Sequence, residues 1–269
     1  MKTIYEKPQV FTDAITTYCG GCGHGIVGKL IAELVDELKL QENGILVWPI
    51  GCSCLSDRYY DMDCFMALHG RAPASATGIK RADPSKFVLC YQGDGDMVSE
   101  GMAEIMHAAI RSEKFSVIFI NNAIYGMTGG QMAPTTMLGQ VASTAPYGRE
   151  TLNSGYPVQM AELMATMPGV CYSERVTVTS PANVAKCKKA LKKAFELQLE
   201  GKGLSFVEVL SPCPTGWKMA ATKSLDYIDE VLTTVYPLGV KKDATKEENS
   251  YEKRTSFLRY RRTGRHHSR

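Results

Sequence analysis

The sequence predicts an α/β protein that forms a single domain, a parallel sheet with helices on both faces. Short runs rich in β-branched and aromatic residues alternate with longer segments whose apolar residues recur three or four positions apart, which is the helical period. The strand candidates are apolar throughout rather than alternating, which is typical of strands covered on both faces. No internal repeat and no long linker divides the sequence.

The candidate elements follow one another in chain order. The predicted strands are residues 45–50, 87–91, 117–120, 170–176 and 205–210. The predicted helices are residues 24–38, 72–82, 99–111, 157–167, 181–200 and 225–235. We expect the helix at 99–111 to bury one face, made of Met102, Ile105, Met106, Ala109 and Ile110. Residues 123–156 form a loop that is too long for an ordinary connection, and such loops are usually functional.

Composition excludes several classes of protein. With 44% hydrophobic and 22% charged residues, the chain is too apolar to be mainly disordered and has enough apolar residues for a sizeable core. No run approaches the roughly 18 apolar residues of a membrane span, and the start lacks the apolar stretch of a signal peptide, so we expect a cytoplasmic protein without a membrane partner. The nine cysteines are odd in number, which favours metal or redox chemistry over structural disulfides.

The net charge of +3 comes from the C-terminal tail. Residues 241–269 carry ten Lys and Arg against four Asp and Glu, which gives +6 and leaves −3 for residues 1–240. We therefore divide the chain into a folded domain at 1–240 and a basic tail at 241–269 that we expect to be disordered. Short tails of this composition are more often solvated than bound to nucleic acid, so we expect no nucleic-acid partner.

Residues 87–131 carry the features of a phosphate and metal site. A strand is followed by GDGD, a helix, a second strand and NN. Gly93 and Gly95 allow the backbone to approach a phosphate closely, where a Cβ would obstruct it. Asp94 and Asn122 follow two strands of one sheet, at the edge where open α/β sheets bind ligands. Their oxygens suit a magnesium ion that holds a diphosphate, although GDGD alone would indicate only a turn.

Four cysteines are predicted to meet at the same edge of the sheet. Cys19 and Cys22 form a C-x-x-C motif directly before a helix, whose N-terminus favours thiolate charge. Cys52 and Cys213 each follow a predicted strand. C-x-x-C alone fits a thioredoxin-like redox pair, half of a zinc site or half of an iron–sulfur site. The four together fit a [4Fe-4S] cluster as well as tetrahedral zinc, and their spacing does not separate the two.

The motifs resemble those of a known family. GDG followed by NN resembles the thiamine diphosphate enzymes, and the whole set resembles the β subunit of the 2-oxoacid:ferredoxin oxidoreductases over about residues 15–220. The matching segments are YCGGCGHG, IGCSC, ALHGRAPASATGIKRADP, YQGDGD, NNAIYGMTGGQMAPTT and LSPCPTGW. The resemblance implies a thiamine diphosphate-binding fold with thiamine diphosphate, Mg²⁺ and one [4Fe-4S] cluster. It further implies coenzyme A-dependent oxidative decarboxylation of a 2-oxoacid to acyl-CoA and CO₂, with electrons passing to ferredoxin or flavodoxin.

The resemblance also implies roles for particular residues. The Mg²⁺ ligands would be Asp94, Asn122 and the backbone carbonyl of Ile124. The cluster ligands would be Cys19, Cys22, Cys52 and Cys213, with Cys54 as an alternative to Cys52, since the family usually has a small or apolar residue there. The other cofactor-binding residues would be Ile50, Gly51, Cys52, Ser53, Gly93, Gly95, Asp96, Gly126 and Met127, of which Met127 is the apolar wedge that bends the cofactor. His69 is implied as the catalytic residue, in contact with diphosphate or substrate, and Arg71 follows more weakly.

The remaining cysteines and His24 have simpler interpretations. We expect Cys64, Cys90, Cys171 and Cys187 to pack as small hydrophobic side chains. We expect His24 to cap the first helix or to orient the cysteine loop.

Partners follow from what the sequence lacks. The glutamate that activates the cofactor comes from a partner α subunit in this family, and no C-x2-C-x2-C-x3-C-P run is present for further clusters. The expected partners are therefore the α subunit, with γ and ferredoxin-like δ subunits, and ferredoxin or flavodoxin. We expect the loop at 123–150 to fold over the cofactor and against the α subunit. The favoured substrates are 2-oxoglutarate and 2-oxoisovalerate.

Two other functions stay open. One is a non-redox thiamine diphosphate decarboxylase with a structural zinc site. The other is a non-catalytic, metal-stabilised assembly subunit.

Overall fold

A seven-stranded sheet forms the centre of the protein. The structure, a computed structural model, describes residues 6–245. The strands are β1 Gly44–Trp48, β2 Asp63–Met66, β3 Phe87–Gly93, β4 Ser116–Asn121, β5 Val170–Thr177, β6 Leu204–Leu210 and β7 Gly239–Asp243. Their order across the sheet is β2-β1-β3-β4-β6-β5-β7. All neighbours are parallel except β7, which runs antiparallel to β5.

Helices connect the strands, and the chain also contains one 3₁₀ turn and two π-helical turns. The helices are α1 Gly23–Glu37, α2 Ala72–Ala82, α3 Met102–Ile110, α4 Thr151–Ser154, α5 Met160–Thr166, α6 Pro181–Leu199, α7 Pro214–Trp217, α8 Ala221–Tyr227 and α9 Thr233–Val235. A 3₁₀ turn spans Cys52–Ser56, and π-helical turns span Gly95–Glu100 and Ile228–Leu232. Each predicted helix and strand therefore has a counterpart, with ends displaced by a few residues.

The hydrophobic core lies in two layers, one on each face of the sheet. On one face α1 and α6 pack against the sheet, and Leu34 and Phe195 are fully buried there. On the other face α2, α3 and α5 contribute, and Ile105 and Met160 are fully buried. Because both faces are covered, the strands are apolar along their whole length. The predicted fold class, an α/β protein with a parallel sheet between two helical layers, is confirmed.

Two strands escaped the sequence analysis: β2 is only four residues long, and β7 carries more charged than apolar residues. All four residues of β2 are exposed at one edge of the sheet. The other edge strand, β7, carries Lys241 and Lys242. The predicted boundary between residues 240 and 241 falls inside β7, and the rest of the predicted tail, residues 246–269, lies outside the described residues.

The helix predicted at 99–111 differs from the structure in two ways. Regular α-helix begins only at Met102, after the π-helical turn. The prediction that Ile110 is buried was wrong: it is 61% exposed, and Ala108 is buried instead.

Among the helices of residues 6–245, none is long and apolar enough to cross a membrane.

Candidate functional site

Asp94 follows β3 at the carboxyl edge of the sheet. Its carboxylate is 2% exposed and accepts a hydrogen bond at each oxygen. The backbone N–H of Gly95 donates to Oδ1 at 2.8 Å, and the hydroxyl of Thr135 donates to Oδ2 at 2.6 Å. Burial raises the pKa of Asp94 to about 6, against hydrogen bonds that lower it. A buried carboxylate of this kind favours a cation that would hold it in the ionised form.

Asn122 follows β4, the strand next to β3. Gly93 pairs with Ile120 in the register of these two strands, so Asp94 and Asn122 leave neighbouring strand ends. The side-chain oxygen of Asn122 accepts a hydrogen bond from the Ile124 N–H at 3.3 Å, and its backbone carbonyl accepts one from the Trp217 indole at 2.9 Å. We call Asp94, Asn122 and Ile124 the oxygen site.

A buried polar network supports the turn that carries Asn122. Ala123 has a left-handed conformation with φ +55°, which a residue with a Cβ seldom adopts. The side chain of Asn121 accepts from the Ala123 N–H at 3.1 Å and donates to Glu208 at 2.7 Å. Arg175, fully buried, lies 3.0 Å from Glu208 and also pairs with Glu162. These contacts hold the turn in a conformation that its own sequence disfavours.

One cavity of about 140 Å³ opens over the oxygen site. Its lining includes nearly all the sequence-predicted residues, namely Ile50, Gly51, Cys52, His69, Gly93, Asp94, Gly95, Asp96, Asn122, Ile124, Gly126 and Met127. His24, Tyr125 and Thr128 also line it. Ser53 does not: it is buried beside the cavity, and its hydroxyl has no hydrogen-bond partner among the described residues.

Glycine is required at different positions of this cavity for different physical reasons. A Cβ built on Gly51 or Gly93 meets no atom within 4 Å, so these positions leave the cavity open to a close-fitting ligand. Gly51 has φ +126°, which itself favours glycine. A Cβ on Gly95 would lie 2.3 Å from the ring of Tyr125. The requirement for glycine at 95 is therefore the packing of Tyr125 and not only the approach of a phosphate.

His69 and Asp96 form a pair at the rim of the cavity. His69 Nδ1 lies 2.6 Å from Asp96 Oδ1, and Asp96 also accepts from the Gly70 N–H at 2.7 Å and from Gln92 at 2.6 Å. Burial raises the pKa of Asp96, although these hydrogen bonds oppose the rise. Gly70 and Gly101 bring the two segments together, because a Cβ on Gly101 would lie 2.4 Å from the Gly70 carbonyl oxygen.

Arg71 does not lie where a contact with diphosphate or substrate would place it. It donates to the Glu100 carbonyl at 2.9 Å and pairs with Glu104 of α3, and it does not line the cavity.

Four cysteines approach the same edge of the sheet from three segments. Cys19 and Cys22 form a turn at the start of α1, Cys52 follows β1, and Cys213 follows β6. A Cβ built on Gly126 would lie 3.0 Å from the Cys213 sulfur and 3.9 Å from the Cys52 sulfur. We call these four cysteines the cysteine site.

The thiols of the cysteine site influence one another electrostatically. Burial, with a smaller contribution from the charge of a nearby Cys22 thiolate, raises the pKa of Cys52 to about 11 and that of Cys213 to about 12. No group of three or more His, Cys, Asp or Glu side chains among residues 6–245 is arranged to hold a metal ion as it stands. The metal ligands therefore stay predictions.

The remaining cysteines differ in exposure. Cys90, Cys171 and Cys187 are buried, as expected of packed thiols, whereas Cys64 on the edge strand β2 is exposed, contrary to expectation. Cys54 is partly buried and packs against the core beside α1.

His24 lies in the first turn of α1, behind the cysteine site. Its Nδ1 is 2.6 Å from the hydroxyl of Tyr91, and its ring stacks on Tyr18 with 5.1 Å between ring centroids. Burial lowers the pKa of His24 to about 4, so the ring is neutral at physiological pH. Its position fits the expected role of orienting the cysteine loop.

Sequence comparison identifies the family. A model of the family described as thiamine pyrophosphate enzyme, C-terminal TPP binding domain, matches residues 49–209. The chain belongs to this family. The part matching the thiamine pyrophosphate enzymes contains the whole oxygen site, but of the cysteine site it contains only Cys52.

Sequence relatives indicate to which group of thiamine pyrophosphate enzymes the chain belongs. The ketoisovalerate oxidoreductase subunit VorA of Methanothermobacter marburgensis is 44% identical over 91% of this chain and 51% of its own length. The 2-oxoglutarate synthase subunit KorB of Methanocaldococcus jannaschii is 38% identical over 86% of this chain and 82% of its own. The chain is thus a member of the 2-oxoacid oxidoreductase subunits, and it spans about half the length of the VorA relatives.

A solved structure has the same fold. It is a 2-oxoglutarate:ferredoxin oxidoreductase from Magnetococcus marinus, solved with 2-oxoglutarate, coenzyme A and succinyl-CoA bound. The TM-score is 0.72 and the sequence identity 24%, over 99% of this chain and 94% of that one. At this identity the likeness supports the thiamine pyrophosphate-enzyme fold alone.

Proposed function

We propose that this chain is the β subunit of a 2-oxoacid:ferredoxin oxidoreductase, which binds thiamine diphosphate with Mg²⁺ and one [4Fe-4S] cluster. The complex converts a 2-oxoacid and coenzyme A to acyl-CoA and CO₂, and the electrons released reduce ferredoxin or flavodoxin. The observation that carries the proposal is that the oxygen site and the cysteine site meet at Gly126, which lines the cavity and lies against the Cys52 and Cys213 sulfurs.

The oxygen site fits a cation that bridges a diphosphate. Asp94, Asn122 and the Ile124 carbonyl offer the oxygen ligands that Mg²⁺ prefers. Gly51 and Gly93 present backbone with no obstructing atom, which suits a close-fitting anionic group. Bound thiamine diphosphate supplies the carbanion chemistry that decarboxylation requires. Met127, 45% exposed at the cavity, is the apolar group available to fix the bend of the cofactor.

The cysteine site fits a metal that binds thiolates. Thiolate ligands repel one another, so their neighbouring charges favour the thiol form until a cation binds. An all-cysteine set suits a [4Fe-4S] cluster. Cys54 packs against the core, which supports Cys52 as the third ligand. Cys52 and Cys213 would hold the cluster on the Gly126 side of the cavity, where it would supply one-electron redox chemistry.

His69 is the titratable group of this chain best placed to contact diphosphate or substrate. It lines the cavity with its side chain 38% exposed, and its Nδ1 lies 2.6 Å from the Asp96 carboxylate. Because Nδ1 faces the Asp96 carboxylate, Nε2 is the ring nitrogen available for a hydrogen bond with a ligand.

The cavity favours a substrate with an apolar side chain. No Lys or Arg is among its described lining residues, whereas Ile50, Ile124 and Met127 are. The second carboxylate of 2-oxoglutarate would need a cationic partner from another subunit. We therefore favour a branched-chain 2-oxoacid such as 2-oxoisovalerate over 2-oxoglutarate, and the relative at 44% identity is a ketoisovalerate oxidoreductase subunit.

The site needs a second subunit. The acids among the described lining residues are Asp94 and Asp96, both assigned to other tasks, so the glutamate that activates the cofactor would come from an α subunit. The long loop carries exposed apolar side chains that a partner would cover, namely Leu138, Val141, Tyr147, Leu152 and Tyr156. Further γ and ferredoxin-like δ subunits would carry the exit clusters. A cytoplasmic location agrees with nine free cysteines.

The test is an anaerobic assay of the complex purified with its co-expressed partner subunits. We expect coenzyme A-dependent reduction of ferredoxin with 2-oxoisovalerate, and at least about tenfold lower kcat/KM with 2-oxoglutarate. CO₂ release without ferredoxin reduction, from a protein that contains zinc and no iron, would favour a non-redox decarboxylase. Absence of thiamine diphosphate binding in calorimetry would favour a non-catalytic assembly subunit.

A further inference from the structure

We propose that Thr135 orients the carboxylate of Asp94 for its cation, and that buried Arg149 holds Thr135 in place. The inference rests on the proposed cofactor site and adds two positioning residues to it. Thr135 is fully buried, and its hydroxyl donates to Asp94 Oδ2 at 2.6 Å. Neither residue lines the cavity, so both act through Asp94.

The carboxylate of Asp94 is fixed from both sides. Thr135 donates to one oxygen and the Gly95 N–H to the other, which removes rotation about the last side-chain bond. A carboxylate oxygen accepts more than one hydrogen bond, so each keeps a lone pair for a metal ion. Without the hydroxyl, Oδ2 would lose the only side-chain donor that the described residues give it, and the carboxylate could rotate away from the ligand geometry.

Thr135 lies in irregular backbone, so its position depends on other contacts. The hydroxyl of Tyr236 donates to the Thr135 carbonyl. The hydroxyl of Thr136 donates to the Ala123 carbonyl at 2.7 Å and accepts from the Ala133 N–H at 2.9 Å. The segment that carries Thr135 is therefore tied to the turn between Asn122 and Ile124.

Arg149 provides a further set of contacts to that segment. Its guanidinium, in a residue 5% exposed, donates to six backbone carbonyls. Three belong to residues 133, 134 and 136, on both sides of Thr135, and three to residues 154, 155 and 156. The planar guanidinium of arginine has several N–H donors that can bond to both groups of carbonyls at once, whereas the ammonium of lysine is a compact point charge that cannot reach both.

The experiment measures Mg²⁺ affinity in the presence of thiamine diphosphate, using the full chain with its co-purified subunits. Calorimetry gives the affinity, and quenching of Trp217, whose indole bonds to the Asn122 carbonyl, gives a local signal. We expect Thr135→Val to lower Mg²⁺ affinity about 10- to 100-fold, as second-layer changes at metal sites do. Thr135→Ser keeps the hydroxyl and should restore affinity to within about threefold.

Thr177→Val is the matched control. Thr177 is also buried and donates to a backbone carbonyl, that of Leu210, at 3.1 Å, away from the cavity lining. It should lose stability to urea as Thr135→Val does but keep wild-type Mg²⁺ affinity. Equal losses of affinity in Thr135→Val and Thr177→Val, or no loss in either, would overturn the inference and leave the proposed function standing.

The role of Arg149 is tested by a double-mutant cycle. If Arg149 acts through Thr135, Arg149→Lys should lower Mg²⁺ affinity in the wild-type background and add little to Thr135→Val. Additive losses would mean that Arg149 does not act through Thr135. If Arg149→Lys fails to fold, the comparison of Thr135→Val with Thr135→Ser and Thr177→Val still tests the role of Thr135. A wild-type protein that binds no Mg²⁺ with thiamine diphosphate would overturn the inference together with the proposed cofactor site.

Discussion

The oxygen site and the cysteine site share one edge of the sheet but are organised differently. In the oxygen site, Asp94 and Asn122 accept hydrogen bonds that fix their side-chain oxygens before any ligand binds. In the cysteine site, four thiols arrive from three segments, Cys19 is exposed, and Cys213 is buried with a pKa raised to about 12. The oxygen site is preorganised, whereas the cysteine site would need a metal to draw the proposed ligands together.

This difference has an energetic consequence. Thiols with raised pKa values must lose protons when a metal binds, so metal binding is coupled to deprotonation and to ordering of the cysteine segments. Oxygen ligands that are already fixed incur little of that cost. The matched family segment, residues 49–209, includes all of the oxygen site and only Cys52 of the cysteine site, which fits a cofactor site shared by the family with a cluster site added at its margin.

The largest effect is expected from Asp94→Ala. Removing the only charged ligand should lower affinity for thiamine diphosphate with Mg²⁺ by more than about 100-fold, since even indirect contacts to such ligands contribute 10- to 100-fold. Iron content should not change if the two sites are organised independently. Calorimetry and iron analysis of one preparation measure both, and Asp83→Ala, at an exposed acid, is the control. Retained cofactor affinity would contradict the assignment of Asp94.

Cys213→Ser tests the other site. A neutral hydroxyl is a poor ligand for iron, so we expect loss of most iron and of the broad visible absorbance, with cofactor affinity reduced less than in Asp94→Ala. Cys54→Ser is the control and should keep its iron. Bleaching by Cys54→Ser but not by Cys52→Ser would mean that the third ligand is Cys54.

The strand ends were predictable from the sequence because local pattern determines them. Apolar runs such as those before Asp94 and Asn122 define strands without tertiary information, and in a parallel sheet their carboxyl ends meet. The edge strand β7 was missed because an exposed edge need not be apolar, and β2 was missed because it has only four residues, although three of them are apolar. Ile110 was assigned to the wrong face since a nine-residue helix with many apolar residues leaves its orientation ambiguous.

The supports of the oxygen site were not predictable in the same way. The contact between Thr135 and Asp94 spans 41 residues, and nothing in the local sequence of PTT marks the first threonine as its donor. Arg149 is the one cationic residue in the loop, which is a usable signal: a lone cation in a Gly- and Thr-rich stretch is either solvated or paired with backbone carbonyls.

Hydrogen exchange of the long loop sharpens the comparison. We expect Ala133, Thr136 and Met137 to exchange slowly in the free chain, because their N–H groups donate to the Thr136 hydroxyl, the Ala133 carbonyl and the Gln140 side chain, and residues 125–131 to slow when cofactor is added. Residues 138–147, which carry exposed Leu138 and Tyr147, should slow only when an α subunit binds. Equally fast exchange of the whole loop in all three states would contradict both the interface and the preorganised site, and the search for the activating glutamate would return to Glu100 and Glu104.

The smallest expected effect is on the polar network behind Asn122, and it depends on pH. Burial raises the pKa of Glu162, but hydrogen bonds and charge from Arg175 outweigh it and the net pKa lies below the ordinary 4.5. Since the folded-state pKa is depressed, the ionised carboxylate stabilises the fold above pH 4.5, and this contribution is lost as pH falls through the folded value. Glu162→Gln should therefore lower the free energy of unfolding at pH 7 by about 1 kcal/mol or less. The effect is small because Glu162 is partly exposed and because Arg175 still has its ion pair with Glu208.

Urea unfolding of wild type and Glu162→Gln between pH 7 and pH 3 measures that contribution. The difference between the two proteins should be constant down to about pH 5 and shrink below the ordinary glutamate pKa of 4.5. Glu230→Gln, at an exposed residue of the π-helical turn before α9, should show no such difference at any pH. A difference that grows as pH falls would mean that Glu162 is not held ionised by Arg175. The turn carrying Asn122 would then depend on Glu208 alone, and the oxygen site would be less firmly preorganised than its hydrogen bonds indicate.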